Sequence, residues 1–260
     1  MFFLKSSPLF RGNCEFFSYD DNLTIISGLH SVLEALKSGR ELERIVATRG
    51  AGGQRLQDII NLARDRHVPV RFEPRDQLDR LAQGSAHQGV VAIGRSFVYG
   101  TVEEIPDSAK LVVILDGVED PHNLGAIIRT AHCAGADAII IPERRSAGIT
   151  DTVTKAAAGA LEYLPIIRVV NLNRTLEELK KRRFWIYGLD ERGTESYDQI
   201  DYGVPTGLVL GSEGEGLHDL VRRHCDALVR IPLAGRISSL NVSVAAGVVL
   251  FDWKRRYAVD

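Results

Sequence analysis

The chain has 260 residues, of which 45% are apolar and 25% charged, enough to bury one large core or two modest ones without staples. No apolar run approaches the roughly 18 residues of a membrane helix, and the apolar start Met1–Leu4 is too short for a signal-peptide core, so a cytoplasmic location is expected. The three cysteines (Cys14, Cys133, Cys225) are odd in number, widely spaced and without a C-x-x-C pair, which argues for reduced thiols and against a disulfide framework or a zinc site, and the net charge of −2 leaves nucleic-acid binding to local basic clusters.

Residues 1–24 carry no clear period and read as an extension. Ser27 is placed to cap a helix through Lys37, with Val32, Leu33 and Leu36 on one side and Gly39 just past its end. A strand at Arg44–Thr48 follows, then a helix marked by Leu56, Ile59, Ile60 and Ala63. Val68–Phe72 reads as a strand, Gln77–Leu81 as a short helix and Gly89–Ile93 as a closing strand. Together they predict a small α/β/α unit over residues 25–94. The stretch 95–110, rich in Gly, Ser, Pro and acidic residues, reads as a linker.

From Leu111 the pattern changes. Leu111–Leu115 is a continuous apolar run, as expected of a strand buried on both faces. A helix at Leu124–Ala134, a strand at Ala138–Ile141, a helix at Asp151–Leu161 and a strand at Ile166–Val169 come next. A helix at Leu176–Arg183, strands at Phe184–Leu189 and Leu208–Gly211, a helix at Leu217–His224, a strand at Ala227–Ile231 and a helix at Val242–Arg255 complete the chain. This alternation predicts a mostly parallel sheet with helices on both faces over residues 111–260. Basic clusters lie at 180–183, 222–223 and 254–256; each alone reads more often as a solvated helix face than as a binding surface.

Three segments place polar residues and glycines just after a buried strand, where ligands bind in open α/β sheets. The first, Leu115 to Arg129, holds Asn123, able to cap the following helix, and Arg129 six residues on. Read alone, these are a capped helix and a surface arginine. The second, Gly211-Ser212-Glu213-Gly214-Glu215-Gly216-Leu217, lets backbone approach a ligand closely, but it is not G-x-G-x-x-G and does not fit a dinucleotide fold. The third, Ile231 to Gly247, brings Ser239, Leu240 and Asn241 to a helix start. Ser243, Ala245, Ala246 and Gly247 form a small-residue face on that helix.

Taken together and in order, N-x-x-x-x-x-R, G-S-E-G-E-G-L and S-S-L-N-V-S resemble the three signature motifs of the SpoU (TrmH) family of RNA ribose methyltransferases, of the SPOUT class. Gly28-Leu29-His30-Ser31-Val32 and His87-Gln88-Gly89-Val90 resemble the two ends of that family's small substrate-binding domain. The likeness spans residues 25–256 and is strongest to the branch that methylates a guanosine ribose of 23S rRNA.

The resemblance implies a trefoil-knotted catalytic domain, S-adenosylmethionine held by Gly211, Ile231 and Leu240, and catalytic positions at Asn123, Arg129, Glu213, Ser239 and Asn241. It also implies an RNA substrate and a homodimer in which Arg129 acts across the interface. No histidine or cysteine falls in the matched set, which speaks against a covalent mechanism. Guanidinium groups do not give up their proton in proteins, so the role expected of Arg129 is to hold phosphate and steady a developing alkoxide, with water or backbone taking the proton. A tRNA methyltransferase of the same family, or an RNA- or ribosome-binding protein that lost catalysis, are the alternatives. One departure stands out: Ala157 occupies a position where many relatives carry serine.

Overall fold

The computed structural model describes residues 23–84, 86–203, 205–236 and 239–257. The extension and Cys14 therefore lie outside the described residues, apart from the two residues that open the first strand. The first unit runs β1 (Leu23–Ser27), α1 (Leu29–Ser38), β2 (Leu42–Thr48), α2 (Gln54–Asp65), β3 (Val70–Glu73), α3 (Arg75–Leu81) and β4 (Val90–Arg95). Its sheet has the order β1-β4-β2-β3, with β4 antiparallel to both neighbours and β2 parallel to β3. Period-two alternation divides the faces. Ile45 and Ala47 meet Val32, Leu36, Leu56 and Ile59 of α1 and α2, while Val46 and Val91 meet Leu78 under α3. This is the α/β/α sandwich expected.

Its start differs from expectation. Ser27 caps nothing; it ends β1, is buried, and its hydroxyl finds no partner. Leu23–Ser27 pairs along its whole length with β4, and this pairing outweighs the local capping signal. The chain turns at Gly28 (φ 101), and the side-chain carbonyl of Gln88 accepts from the amide of Leu29. The linker is also more structured than its composition suggests. It holds a 3-10 turn at Val102–Glu104 and buries Ile105 and Ala109, and Arg182 donates to the carbonyls of Val102 and Ile105.

The second unit runs β5 (Leu111–Asp116), α4 (Pro121–Ala134), β6 (Ala138–Pro142), α5 (Asp151–Ala157), β7 (Ile166–Val169), α6 (Leu172–Lys181), β8 (Trp185–Leu189), β9 (Glu195–Ser196), β10 (Thr206–Gly211), α7 (Asp219–His224), β11 (Ala227–Arg230) and α8 (Val242–Tyr257). The strands form one parallel sheet in the order β7-β6-β5-β10-β8-β11-β9. All six residues of β5 are buried, because apolar layers cover both faces. The helix expected to reach Leu161 ends at Ala157, where Ala158 (φ 49) and Gly159 (φ 90) turn left-handed; a 3-10 turn follows at Ala160–Glu162. Helix α6 starts four residues before its expected position, capped by Asn171. Strand β9, two residues long, is too short to carry a period.

The two units meet along a polar seam. Arg40 pairs with Glu162 at 2.7 Å, and the Tyr163 hydroxyl donates to Glu34 at 2.8 Å. Gly159 comes so close to α1 that a Cβ there would lie 2.6 Å from that of Glu34. Within the second unit α8 lies on α4. Its small residues Ala245 and Ala246 are buried, and Gly247 passes Thr130. That small-residue face is covered within the chain at Ala245 and Ala246 and partly exposed at Ser243 and Gly247, and the outward apolar residues of α8 are Val244 and Phe251, 53% and 47% exposed.

Candidate active site

Strands β5, β6 and β7 add in one direction from β5, after which the chain returns to build β8 on the other side, with β10 inserted between. Such a reversal opens a crevice at the carboxyl ends of the strands. The three motifs converge there. Asn123 does not cap α4: Asp120 does, accepting from the amides of His122 and Asn123. Asn123 lies one turn in and is buried, and its Nδ2 donates to Glu213 Oε1 at 2.8 Å. Asn241 Nδ2 donates to Asn123 Oδ1 at 3.0 Å and to the same Glu213 oxygen at 2.5 Å. Asn241 Oδ1 in turn accepts from the amides of Ser243 and Val244, which makes Asn241 the cap of α8. One carboxylate oxygen is thus fixed by two amides from the starts of two helices.

Beside this network lies a cavity of about 360 Å³ lined by Gly211, Glu213, Ile231, Ser239 and Leu240. Gly211 allows its tight shape: a Cβ there would lie 2.2 Å from the carbonyl carbon of Gly216. Ser212 and Gly216 exchange both backbone hydrogen bonds across that turn. Leu189, Leu210, Leu233, Val242 and Ala245 supply apolar wall, and Asp190 and Glu191 supply carboxylates. Asp190 is buried and accepts from Arg222 Nε at 2.9 Å, a bond that holds the Arg222 guanidinium above its usual value.

A second cleft, of about 570 Å³, shares Ser212, Glu213, Glu215 and Val242 with the first and adds Asn123, Gly117, Arg145 and His218. Asp116, at the end of β5, is 5% exposed. Its Oδ2 accepts from the backbone amide of His218 at 2.8 Å and its Oδ1 lies 2.9 Å from His218 Nδ1. His218 Nε2 lies 3.2 Å from Arg145 Nη1. No motif pointed to this constellation. The signal available was a lone aspartate closing an apolar strand and a histidine just beyond the glycine loop.

Arg129 stands apart from these groups. It is exposed on α4 and makes no hydrogen bond or ion pair among the described residues. The basic clusters are mostly engaged elsewhere: Arg182 with the linker, Lys180 with Asp226, Arg222 with Asp190 and Asp219, and Arg255 and Arg256 with Asp252. They are not the free cationic surface their sequence suggests. A different one lies at β3, the edge of the small sheet, and the start of α3, where Phe72 is 45% exposed between exposed Arg71 and Arg75.

Residues 110–251 match the SpoU rRNA methylase family, and residues 25–100 match the RNA 2′-O ribose methyltransferase substrate-binding domain. A Bacillus subtilis (strain 168) protein assigned to the TrmH family of tRNA/rRNA methyltransferases is 41% identical over 237 residues, 89% of this chain and 95% of that one. The AdoMet complex of the SpoU methyltransferase AviRb from Streptomyces viridochromogenes is 25% identical, with a TM-score of 0.79 over 91% of both chains. The AdoMet-bound rRNA methyltransferase of Sinorhizobium meliloti is 28% identical, with a TM-score of 0.75 over 92% of this chain and 89% of that one. A TrmH/SpoU tRNA-modifying enzyme of A. aeolicus is 31% identical with a TM-score of 0.53, over 58% of this chain and 76% of that one. With both domain signatures in sequence and the three motifs gathered at one crevice, the chain belongs to the SpoU family of RNA methyltransferases.

Proposed function

We propose that this protein moves a methyl group from S-adenosylmethionine to the ribose 2′-hydroxyl of a guanosine in 23S rRNA, as a homodimer in the cytoplasm. The observation that carries this reading is the Asn123–Glu213–Asn241 network, set where the cavity beside Gly211 meets the cleft beside Asn123. The cavity fits the cofactor: glycine backbone and apolar wall suit an adenine ring, and Asp190 and Glu191 suit a cation. Gly211, Ile231 and Leu240 hold it. When bound, it supplies an electrophilic methyl on a sulfonium. Asn123, Glu213, Ser239 and Asn241 place the ribose in line with that methyl, which is most of what the step requires. Arg129, which has no partner among the described residues, reaches the partner's site and steadies phosphate and alkoxide charge.

The units divide the work. The first, through residue 94, grips RNA, with Phe72, Arg71 and Arg75 offering a stacking face and phosphate contacts. Residues 95–110 connect it, and 111–260 carry the chemistry and the family's trefoil knot. An rRNA target is favoured because the likeness to the Sinorhizobium rRNA enzyme runs over both units, whereas that to the tRNA-modifying enzyme covers 58% of the chain.

Incubation with labelled S-adenosylmethionine and ribosomal or transfer RNA, followed by mapping of the modified nucleotide, tests the reading. A 2′-O-methylguanosine in 23S rRNA is the expected product. A methyl on a base, on tRNA alone, or on no RNA overturns it.

A further inference from the structure

We infer that His218, carried on Asp116, is the base that takes the proton from the ribose 2′-hydroxyl. This rests on the function proposed above and names a residue outside the three signature motifs. Asp116 is buried, and both its oxygens are spent on His218: one on the backbone amide at 2.8 Å, one on Nδ1 at 2.9 Å. The carboxylate therefore fixes loop and ring together. It also fixes the tautomer, because Nδ1 must carry the proton it donates, which leaves the Nε2 lone pair free. The neighbour of Nε2 fits this tautomer. Arg145 Nη1, a donor only, lies 3.2 Å from Nε2, a contact in which Nε2 would accept. An orienting carboxylate behind a neutral imidazole whose second nitrogen faces a cleft is the arrangement of a general base.

The position suits the proton to be moved. His218 lines the same cleft as Asn123 and Glu213, and that cleft abuts the cofactor cavity across Ser212, Glu213 and Val242. Gly117 (φ 86) leaves room for the ring; a Cβ there would lie 3.3 Å from His218 Cε1 and from Ser212 Cβ. The charged groups around the ring are Asp116 behind it, Arg145 on Nε2, Asp219 next in the chain, and Glu119, Asp120, Glu213 and Glu215 around the cleft. Two of these carboxylates have other duties: Asp120 caps α4 and Glu213 accepts two amides. Arg145 is exposed, so RNA phosphate can draw it off Nε2 and leave that nitrogen to the 2′-hydroxyl. In the step the O–H bond breaks to Nε2, an oxygen lone pair forms the O–CH3 bond, and the S–CH3 bond breaks to a neutral thioether. The imidazolium then releases its proton to water.

Single-turnover methyl transfer measured against pH, with saturating RNA and cofactor, tests the assignment on the full-length protein. His218→Gln keeps an amide donor for Asp116 and an acceptor for Arg145, but takes up no proton at neutral pH. It should slow transfer by roughly 10²–10⁴-fold, leave cofactor affinity within about twofold by calorimetry, and abolish the loss of rate on acidification expected of the wild type. Nitrogen-15 histidine spectra of the wild type give a readout independent of the variant. The His218 signals should report a proton on Nδ1 and bare Nε2, and should titrate with the midpoint of the rate. A His218→Gln rate within about threefold of wild type with the same pH profile, or a ring titrating with a different midpoint, removes His218 from the mechanism. A wild-type enzyme that methylates no ribose overturns the function proposed above instead.

Discussion

The first turn of α4 and its outer face two turns on answer different demands. At the first turn Asn123 is buried and its amide is used on both sides, by Glu213 and Asn241. Six residues further, Arg129 stands in solvent with no partner among the described residues. One helix thus carries a group whose surroundings are finished within the chain and a group whose surroundings are not. A side chain satisfied at home contributes to stability as well as chemistry; one left open contributes only when something else arrives.

That contrast can be broken most directly at its two ends. Asn123→Ala and Arg129→Ala should each lower the single-turnover rate by roughly 10²–10³-fold, the usual loss for one preorganised donor. Only Asn123→Ala should also lower thermal stability, by about 1–3 kcal/mol, because Glu213 and Asn241 lose a buried partner. Arg129→Lys should recover little, since a point charge does not reproduce the planar fork. If Arg129→Ala methylates within about twofold of wild type, the arginine is ordinary surface.

Mixing the two inactive variants sharpens the comparison further. If Arg129 serves the partner's site, each mixed dimer has one intact site and one doubly defective one. Half the dimers in an equal mixture are mixed, so about a quarter of wild-type activity should return. If Arg129 acts within its own chain, nothing returns. A smaller effect is expected at the outward apolar residues of α8. Phe251→Asp should shift sedimentation toward the monomer and cut activity about tenfold at low protein concentration, where association is weakest. An unchanged dimer would place the interface elsewhere.

The smallest effect lies at a second set of finished contacts, the seam between the units. Burial alone would raise the Glu34 carboxyl, but hydrogen bonds from Lys37 and Tyr163 outweigh it and hold it below its ordinary 4.5. A carboxyl lowered in the folded state adds stability above its ordinary value and loses it as pH falls through the lowered one. Thermal unfolding followed from about pH 6 down to about pH 3 should show that loss, and Glu34→Gln should remove part of it. An identical acid profile in the variant would mean that the seam does not depend on this charge.

Much of this was legible in the sequence because strong periods carry through to packing. Leu111–Leu115 reads as a strand covered on both faces and is one. The three motifs announce one site, and Asn123, Glu213 and Asn241 do meet. Less could be read where a local signal competes with a distant partner. Ser27 carries a capping signal, yet β4 recruits it into a strand. Asn123 looks like a cap, but Asp120, three residues before it, takes that place and frees Asn123 to turn inward. The basic clusters hide their partners, since Asp190, Asp226 and Asp252 are distant or unremarkable in sequence. Asp116 and His218 lie 102 residues apart, and only the parallel pairing of β5 with β10 brings them together.

The seam has a consequence for how a target is chosen. Arg40 bonded to Glu162, Tyr163 bonded to Glu34 and Arg182 bonded to the linker tie the small unit to the large one at several points. Its arginine-flanked Phe72 and the crevice at Asn123 stand at a set separation, like the two jaws of a caliper. If the small unit grips RNA as proposed, a nucleotide should be accepted when its distance and angle from a folded landmark match that gap, and an unfolded strand of the same sequence should be a poor substrate.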